Sequence, residues 1–176
     1  MPDVDVAVIG AGAAGLSVAA ISAGLGLKVA LFERGEMGGD CLNYGCVPSK
    51  ALIRSARLAH QMRHAGTWAL TPATPEISAK AIFARIHEVI RAIEPHDSAA
   101  RFTALGVDVA QGQARLVDPW TVAIQGPDGS ERKLTSRAII LATGASPVVP
   151  ALPGLDQTGY LTTDTLWSVL ADRDRL

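Results

Sequence analysis

The sequence has only two cysteines, almost no net charge and no long apolar run, and each shortage excludes a class of protein. Its 16 Lys and Arg residues nearly balance 17 Asp and Glu residues, so a net charge of −1 gives no electrostatic reason to expect a nucleic acid or a membrane as a partner. No apolar run reaches the roughly 20 residues that span a bilayer, and the first residues lack the basic flank of a signal peptide. We therefore expect a cytoplasmic protein, in which a structural disulfide is unexpected but a catalytic one is permitted.

The beginning of the chain has the pattern of a strand–helix–strand unit. Residues 4–10 and 27–33 are apolar and rich in Val, Ile and Leu, which is typical of buried strands. Between them, Ala and Leu recur at helical spacing up to Gly24. Because the unit takes about 30 residues, we expect two parallel strands joined by a crossover helix.

The rest of the chain changes its hydrophobic period twice. Helical spacing predicts two long helices over residues 48–66 and 78–105, paired as a hairpin, the second capped at Ser78 and free to bend at Pro95. Alternation then predicts short strands over 107–118, 121–125 and 131–135, with a hairpin turn at 126–129. Residues 137–147 read as a third buried strand of the parallel sheet, and a helix begins near Thr163. We predict a main domain over 1–150, followed by a linker and helix over 151–176.

A glycine fingerprint follows the first predicted strand and opens the first predicted helix. Gly10, Gly12 and Gly15 form G-x-G-x-x-G, whose glycines permit a tight turn, close approach of a pyrophosphate and close helix packing. Glu33 ends the second strand 18 residues after Gly15, where a carboxylate suits the hydroxyls of a ribose and repels a 2′-phosphate. The fingerprint predicts a dinucleotide with an ADP half, without separating NAD from FAD.

Both cysteines lie in the stretch GGDCLNYGCVPSK, with four residues between Cys41 and Cys46. In a regular helix their Cα atoms would be roughly 8–9 Å apart, beyond the reach of a relaxed disulfide. A bridge therefore requires a distorted helix, which Gly45 would permit, and such a small bridge suits exchange better than structure. Metal binding fits poorly because a zinc site needs a second pair of ligands, and no His or Cys pair follows at a suitable spacing. Two unrelated thiols remain the other alternative.

Cys46 lies beside a predicted helix start, with Pro48 in a favourable first-turn position. A helix N-terminus and a nearby cation such as Lys50 both favour the thiolate form of a cysteine. The sequence therefore indicates a reactive thiol at this position.

With the fingerprint, the cysteine pair and ATGASP (142–147) in place, the chain resembles the flavin-dependent pyridine nucleotide–disulfide oxidoreductases along its whole length. Ser49 and Lys50 after CVP make it most similar to the members that resemble dihydrolipoamide dehydrogenase and mercuric reductase. The resemblance implies an α/β fold: a Rossmann-like FAD-binding domain with a parallel sheet, a helical hairpin and a small antiparallel meander, here incomplete. It also implies FAD as cofactor, with NAD(P)H used by the full-length parent.

The resemblance also implies roles for individual residues. Cys46 would be the thiol nearer the flavin, Cys41 the thiol that exchanges with substrate, and Lys50 a cation near the reactive flavin nitrogen. The implied FAD contacts, besides these three, are Gly10, Gly12, Ala14, Gly15, Glu33, Arg34, Gly38, Gly39, Asp40, Ala114, Ala142, Thr143 and Gly144. Asp40 departs from the Thr of better-known members, and we expect it to cap a helix rather than to bind the pyrophosphate.

Family members are more than twice as long, so we expect this chain to be an N-terminal fragment, inactive by itself. None of the four histidines sits in the family's acid–base motif, and the second nucleotide domain and the interface domain have no counterpart here. The parent would act on a lipoyl or small-molecule dithiol or disulfide, or on a metal ion, as a homodimer. The alternative is a stand-alone dinucleotide-binding module whose cysteines have no redox role.

Overall fold

Six strands form one mixed sheet, in the order β3-β2-β1-β6-β5-β4, in the computed structural model, which describes residues 1–169. The strands are β1 (Val4–Ile9), β2 (Val29–Glu33), β3 (Asp108–Gln111), β4 (Gln113–Asp118), β5 (Thr121–Gln125) and β6 (Glu131–Leu141). The helices are α1 (Ala13–Gly24), α2 (Gly39–Asn43), α3 (Cys46–Arg63), α4 (Ala79–Asp97), α5 (Ala99–Ala104), α6 (Leu155–Thr158) and α7 (Thr163–Val169), with a 3-10 turn at Ala65–Trp68.

The predicted strand–helix–strand unit is confirmed. β1 pairs in parallel with β2 on one side and with β6 on the other, so that Val8 lies opposite both Leu31 and Ile140. Val8 and Leu31 are fully buried, in one cluster with Leu16 of α1 and Phe102 of α5. β1 and β2 are nearly all apolar because they are mostly buried. The half of β6 that pairs with β1 is less buried than predicted, and Leu141 at its end is 63% exposed.

Two strand predictions are wrong in detail. Residues 108–111 do not join the antiparallel meander, because β3 pairs in parallel with the outer edge of β2. The two strands predicted on either side of residue 136 are one continuous strand, β6. Its first half pairs antiparallel with β5 and its second half pairs parallel with β1, so this strand links the two halves of the sheet.

The second long helix is also divided. Ser78 caps its start as predicted, since its hydroxyl accepts the N–H of Ala81. The helix passes through Pro95, ends at Asp97 and is followed by a new helix that Ser98 caps by accepting the N–H of Arg101. The break arises because Ser98 has an extended backbone and its side chain replaces the next helical hydrogen bond.

The chain divides into two compact units, each with its own core. The first contains Met1–Asn43 and Ile93–Ala145, and therefore the whole sheet. The second contains Tyr44–Ala92 and, of the described residues, 146–169. In the second unit, the predicted helices α3 and α4 pack together around a cluster of Ala51, Phe83, Ile86 and Trp167.

The helix predicted near Thr163 is present to Val169, and the last part of that prediction lies outside the described residues. Within residues 1–169, no helix is both long and apolar enough to cross a membrane.

Candidate functional site

The glycine fingerprint forms a tight turn between β1 and α1. Gly10 has a left-handed φ of 103°, its N–H donates to the carbonyl of Phe32, and a Cβ there would stand 2.1 Å from the carbonyl oxygen of Ala142. A Cβ on Gly15 would stand 1.8 Å from the carbonyl oxygen of Gly10. These two positions therefore require glycine, because the helix, the turn and the end of β6 touch through their backbones.

The N-terminus of α1 has the features of an anion site. Within the described chain, no side chain caps this helix at Gly12, and Ala13 and Ala14 in its first turn are exposed. The first N–H groups of such a helix carry partial positive charge and lack helical partners. A Cβ on Gly12 would meet only the Cα of Gly39, at 3.9 Å, so the backbone is open to a ligand here.

A second glycine segment, between β2 and α2, lies against this turn. The N–H of Gly38 donates to the carbonyl of Ala11, and Gly12 and Gly38 form an isolated parallel bridge. Gly39 has a left-handed φ of 53°, and a Cβ there would stand 2.7 Å from the Cα of Gly12. The two segments that were predicted to flank the pyrophosphate are thus brought together by main-chain contacts.

Asp40 is exposed and lies inside the first turn of α2 instead of before it. The expectation of a capping role is therefore wrong, because the helix already begins at Gly39. A carboxylate in a first turn still interacts favourably with the helix dipole. Asn43 closes this short helix by donating from its side-chain amide to the carbonyls of Gly39 and Met37.

Glu33, predicted as a ribose ligand, makes contacts with the protein backbone. Its Oε2 accepts the N–H of Ala11 at 2.6 Å, and its Oε1 accepts the N–H of Gly35 at 2.7 Å. Each carboxylate oxygen has two acceptor sites, so each can still accept a ribose hydroxyl. Arg34, the next residue, is exposed.

Two residues that the sequence analysis missed complete this corner. The side-chain amide of Gln111 donates to the carbonyl of Gly35 at 2.6 Å, and the N–H of Gly112 donates to the carbonyl of Glu33 at 2.7 Å. Both lie at the end of β3, within the stretch 107–118 that the sequence analysis interpreted as alternating throughout. Gly112 was the signal that could have indicated two separate strands here. Ala114, predicted to contact adenine, follows in β4 opposite Ile124.

The remaining predicted FAD contacts follow β6. Ala142 donates its N–H to the carbonyl of Ile9, which carries the parallel pairing past the end of the strand. Thr143 and Gly144 come next and are exposed. The carboxyl ends of β1, β2, β3 and β6 thus bring together most of the predicted contacts, which is where ligands bind in open parallel sheets.

The two cysteines fall in different units and are placed by separate helices. Cys41 is half-buried in α2, which ends at Asn43. Cys46 is exposed at the start of α3, a helix that no side chain caps within the described residues, and Lys50 is exposed one turn later. The distortion that a bridge between the cysteines would require is present, because Tyr44 and Gly45 separate the two helices.

A parallel sheet with a glycine turn after its first strand and an acid after its second defines a dinucleotide-binding domain of the Rossmann type. Comparison with protein families then identifies the chain: the pyridine nucleotide-disulphide oxidoreductase family matches residues 4–175. The chain belongs to this family, as the sequence motifs predicted.

Curated relatives are longer proteins. A mercuric reductase of Shigella flexneri is 36% identical over 164 residues, covering 90% of this chain and 28% of the relative. A dihydrolipoyl dehydrogenase of Zymomonas mobilis subsp. mobilis is 38% identical over 144 residues, covering 80% of this chain and 30% of the relative. The chain thus spans less than a third of the length of these relatives.

A solved structure shows the same fold. A Cu(II) complex of the HOCl-induced flavoprotein disulfide reductase RclA from Escherichia coli matches with a TM-score of 0.69 and 26% identity, over 89% of this chain and 32% of that one. The family and this flavoprotein neighbour imply FAD and NAD(P)H as cofactors, in agreement with the sequence prediction. The open backbone at Gly12 and the uncapped α1 terminus fit the pyrophosphate of FAD.

Proposed function

We propose that this chain is the FAD-binding part of a flavoprotein disulfide oxidoreductase and carries its redox-active cysteine pair. The observation that carries the proposal is the contact between two glycine segments at the N-terminus of α1. The backbones of Gly12 and Gly39 lie so close that a Cβ on Gly39 would stand 2.7 Å from the Cα of Gly12, and the N–H of Gly38 donates to the carbonyl of Ala11. Such a double glycine segment leaves main-chain N–H groups for a pyrophosphate, and it has no room for a side chain at Gly39.

In this proposal, residues of the first unit hold the cofactor. Gly10, Gly12, Ala14 and Gly15 form the turn and helix start at the pyrophosphate, with Gly38 and Gly39 on its other side. Asp40, exposed in the first turn of α2, is not assigned a contact with the pyrophosphate. Glu33 accepts the ribose hydroxyls, with Arg34 beside it and Ala114 near the adenine. Ala142, Thr143 and Gly144 contribute from the end of β6. Bound FAD supplies a carrier that accepts hydride from NAD(P)H and reduces a disulfide.

The cysteines would carry the electrons onward. In the direction of disulfide reduction, the reduced pair has two thiols. The Cys41 thiolate attacks the substrate disulfide, forming a mixed disulfide and releasing one substrate thiolate, which takes up a proton. The Cys46 thiolate then attacks the Cys41 sulfur, forming the internal disulfide and releasing the second substrate thiol. Lys50, one turn after Cys46, would stabilise negative charge near the flavin.

The substrate of the parent enzyme belongs to one of the classes that its relatives' names indicate. We propose a lipoyl or other small dithiol or disulfide, or a metal ion such as mercuric ion, with a homodimeric parent. Within this chain, the exposed Cys46 and the half-buried Cys41 are the residues available for such exchange.

The spectrum of the FAD-loaded chain tests the cofactor proposal. The purified chain is mixed with FAD, freed of unbound ligand, and examined by visible absorption before and after anaerobic reduction with a dithiol. We expect retained flavin and, on reduction, a long-wavelength band from a thiolate beside the flavin. The band should be lost in Cys46→Ser and kept in Cys41→Ser. If the flavin is retained and the long-wavelength band is unchanged in both Cys46→Ser and Cys41→Ser, the assigned roles of the two thiols are contradicted.

A thiol titration tests the redox proposal against the stand-alone nucleotide-binding module. The reduced chain should contain two titratable thiols, and mild oxidation should convert them into one intramolecular disulfide, identified by peptide mass. Two thiols that do not pair under oxidation would favour the alternative.

A further inference from the structure

One long-range hydrogen bond reaches the turn between the two cysteine-bearing helices. The indole N–H of Trp167, in α7, donates to the backbone carbonyl oxygen of Tyr44 at 2.6 Å. Tyr44 stands between Cys41 and Cys46 in the sequence, and 123 positions separate it from Trp167. Both residues belong to the second compact unit.

The Trp167 side chain is held in place by the packing around it. Trp167 is only 6% exposed, and the centre of its ring lies 6.3 Å from the centre of the Phe83 ring, with 50° between the two ring planes. Ala51 of α3 and Ile86 of α4 belong to the same buried cluster, and Tyr44 packs against it. A buried indole held on several sides loses little further freedom when its N–H forms a hydrogen bond.

The Tyr44 carbonyl lies in the turn whose backbone conformation sets how the two cysteines are placed for a disulfide. α2 ends at Asn43 and α3 begins at Cys46, so Tyr44 and Gly45 are the residues outside a helix between the thiols. On the far side, the carbonyl of Gly45 accepts the N–H of Ser49 at 3.1 Å. The Trp167 bond fixes the preceding peptide, so each carbonyl of the turn has a partner.

We propose that Trp167 is a positioning residue for the cysteine pair, acting through the Tyr44 carbonyl to hold the turn in a shape that favours disulfide formation. This inference rests on the proposed function, because it requires that Cys41 and Cys46 form a disulfide. In this role Trp167 acts through the backbone and takes no part in the exchange reaction itself. It lowers the conformational freedom that the turn would otherwise lose when the bridge closes.

The equilibrium with glutathione measures this effect directly. Glutathione disulfide oxidises the pair: one cysteine thiolate attacks it, releasing one glutathione and forming a mixed disulfide, and the second cysteine displaces the other glutathione. The chain is equilibrated over a series of glutathione ratios, its thiols are trapped by alkylation, and the disulfide fraction is read by mass spectrometry. We expect Trp167→Phe to lower the equilibrium constant about fivefold, which is the size expected if the turn freed from this bond must lose roughly one residue's conformational freedom when the bridge closes.

Phe83→Leu is the matched control. It loosens the same buried cluster without removing the N–H donor, so it should lower the urea midpoint as Trp167→Phe does, yet change the equilibrium constant less than about twofold. In concentrated urea, wild type and Trp167→Phe should give the same constant, since the turn is then unfolded. An equal fall in both variants, or no fall in Trp167→Phe, would overturn the inference and leave the proposed function intact.

A second variant removes the hydrogen-bond donor alone. The benzothienyl analogue of tryptophan, in which sulfur replaces the indole N–H, is placed at position 167 and should reproduce the fivefold fall with its packing retained. It decides the question if Trp167→Phe does not fold. An unchanged constant with this analogue overturns the inference. Failure of the wild-type chain to form any Cys41–Cys46 disulfide would overturn the proposed function as well.

Discussion

The carboxylate of Glu33 and the backbone N–H of Ala11 are joined by a hydrogen bond of 2.6 Å, which ties the end of β2 to the glycine turn after β1. Hydrogen bonds to a carboxylate are among the stronger ones in proteins. The same side chain also accepts the N–H of Gly35. One carboxylate therefore holds both the glycine turn after β1 and the turn after β2.

Replacing this carboxylate should affect the empty protein as well as the complex. Glu33→Gln leaves one acceptor oxygen for two backbone N–H groups, so we expect the free energy of unfolding to fall by about 1–3 kcal/mol without FAD. FAD binding should weaken about tenfold or more. Urea unfolding and FAD titration measure the two effects. Glu88→Gln, on the exposed face of α4, is the control. Weaker FAD binding with unchanged stability would show that Glu33 does not hold the turn.

Gln111 should influence recognition of the ribose through the turn that follows Glu33. Gln111→Ala removes the bond to the Gly35 carbonyl, and Glu33 loses part of its support. Wild type should prefer ADP over 2′,3′-dideoxy-ADP about tenfold or more, because the hydroxyls bond to a charged group. We expect this preference to shrink about threefold in Gln111→Ala, as measured by calorimetric titration.

Gln113→Ala is the matched control for that experiment. Gln113 is also exposed, and its side chain donates to the carbonyl of Ala114 at 3.5 Å. If the preference for ADP over 2′,3′-dideoxy-ADP changes by the same factor in Gln111→Ala and Gln113→Ala, Gln111 is not involved in ribose recognition.

The third glycine of the fingerprint should not tolerate a methyl group. In Gly15→Ala, the new Cβ would overlap the carbonyl oxygen of Gly10, so turn and helix must separate. Overpacking of this kind costs about 1–3 kcal/mol, and we expect FAD retention to be lost. The measurements are the thermal midpoint and the flavin absorbance after gel filtration.

Gly24→Ala, at the other end of the same helix, is the control. A Cβ there meets nothing within 4 Å, and alanine is the better helix former. We expect equal or higher stability with FAD retained. Similar losses in the two variants would mean that the close contact at Gly15 is not what matters.

Acid should weaken the attachment of β1 to its neighbours. Asp3 accepts the backbone N–H and the hydroxyl of Thr135, and these bonds lower its pKa below the ordinary value of 3.8. Asp5 likewise has a lowered pKa, first because it accepts the N–H of Lys28 and then because of Arg137. A carboxyl group whose pKa is lowered by folding stabilises the protein above its unfolded pKa and loses that contribution as pH falls through its folded pKa.

The urea midpoint should therefore change little from these groups between about pH 7 and pH 5, and fall below about pH 4. Asp3→Asn should have a lower midpoint at neutral pH and a shallower decline in acid. Asp156→Asn, at an exposed position in α6, serves as the reference. A decline in Asp3→Asn as steep as in this reference would exclude Asp3 as a source of the acid sensitivity.

Local features of the fold could be predicted because their causes lie close together in the sequence. Alternating glycines between an apolar run and a helical pattern indicate a tight turn before a helix, and Glu33 follows at the length of one crossover. Gly45 between the cysteines was likewise recognised as a residue that would permit a distorted helix there. In each case, the residues that set the backbone conformation are within a few positions of one another.

The partners of the strands could not be predicted in this way. Residues 108–111 alternate between apolar and polar side chains, as a strand of the meander would, but they pair in parallel with the outer edge of β2. The sequence analysis divided β6 into two strands. In the structure it is one strand whose two halves pair with different neighbours, β5 and β1. Pairing is decided by which sheet edge is free in the folded chain, and a strand's own sequence carries little information about that edge.

The sequence by itself determined the family, the fingerprint turn, the acid at the end of β2 and the two cysteines. Only the tertiary structure decided that Glu33 holds Ala11, that Gln111 supports Gly35 and that Trp167 reaches the Tyr44 carbonyl. The physical reason is that each of these bonds joins a side chain to a backbone group far away in the chain. A backbone N–H or carbonyl is the same in every residue type, so the sequence does not mark it as a partner.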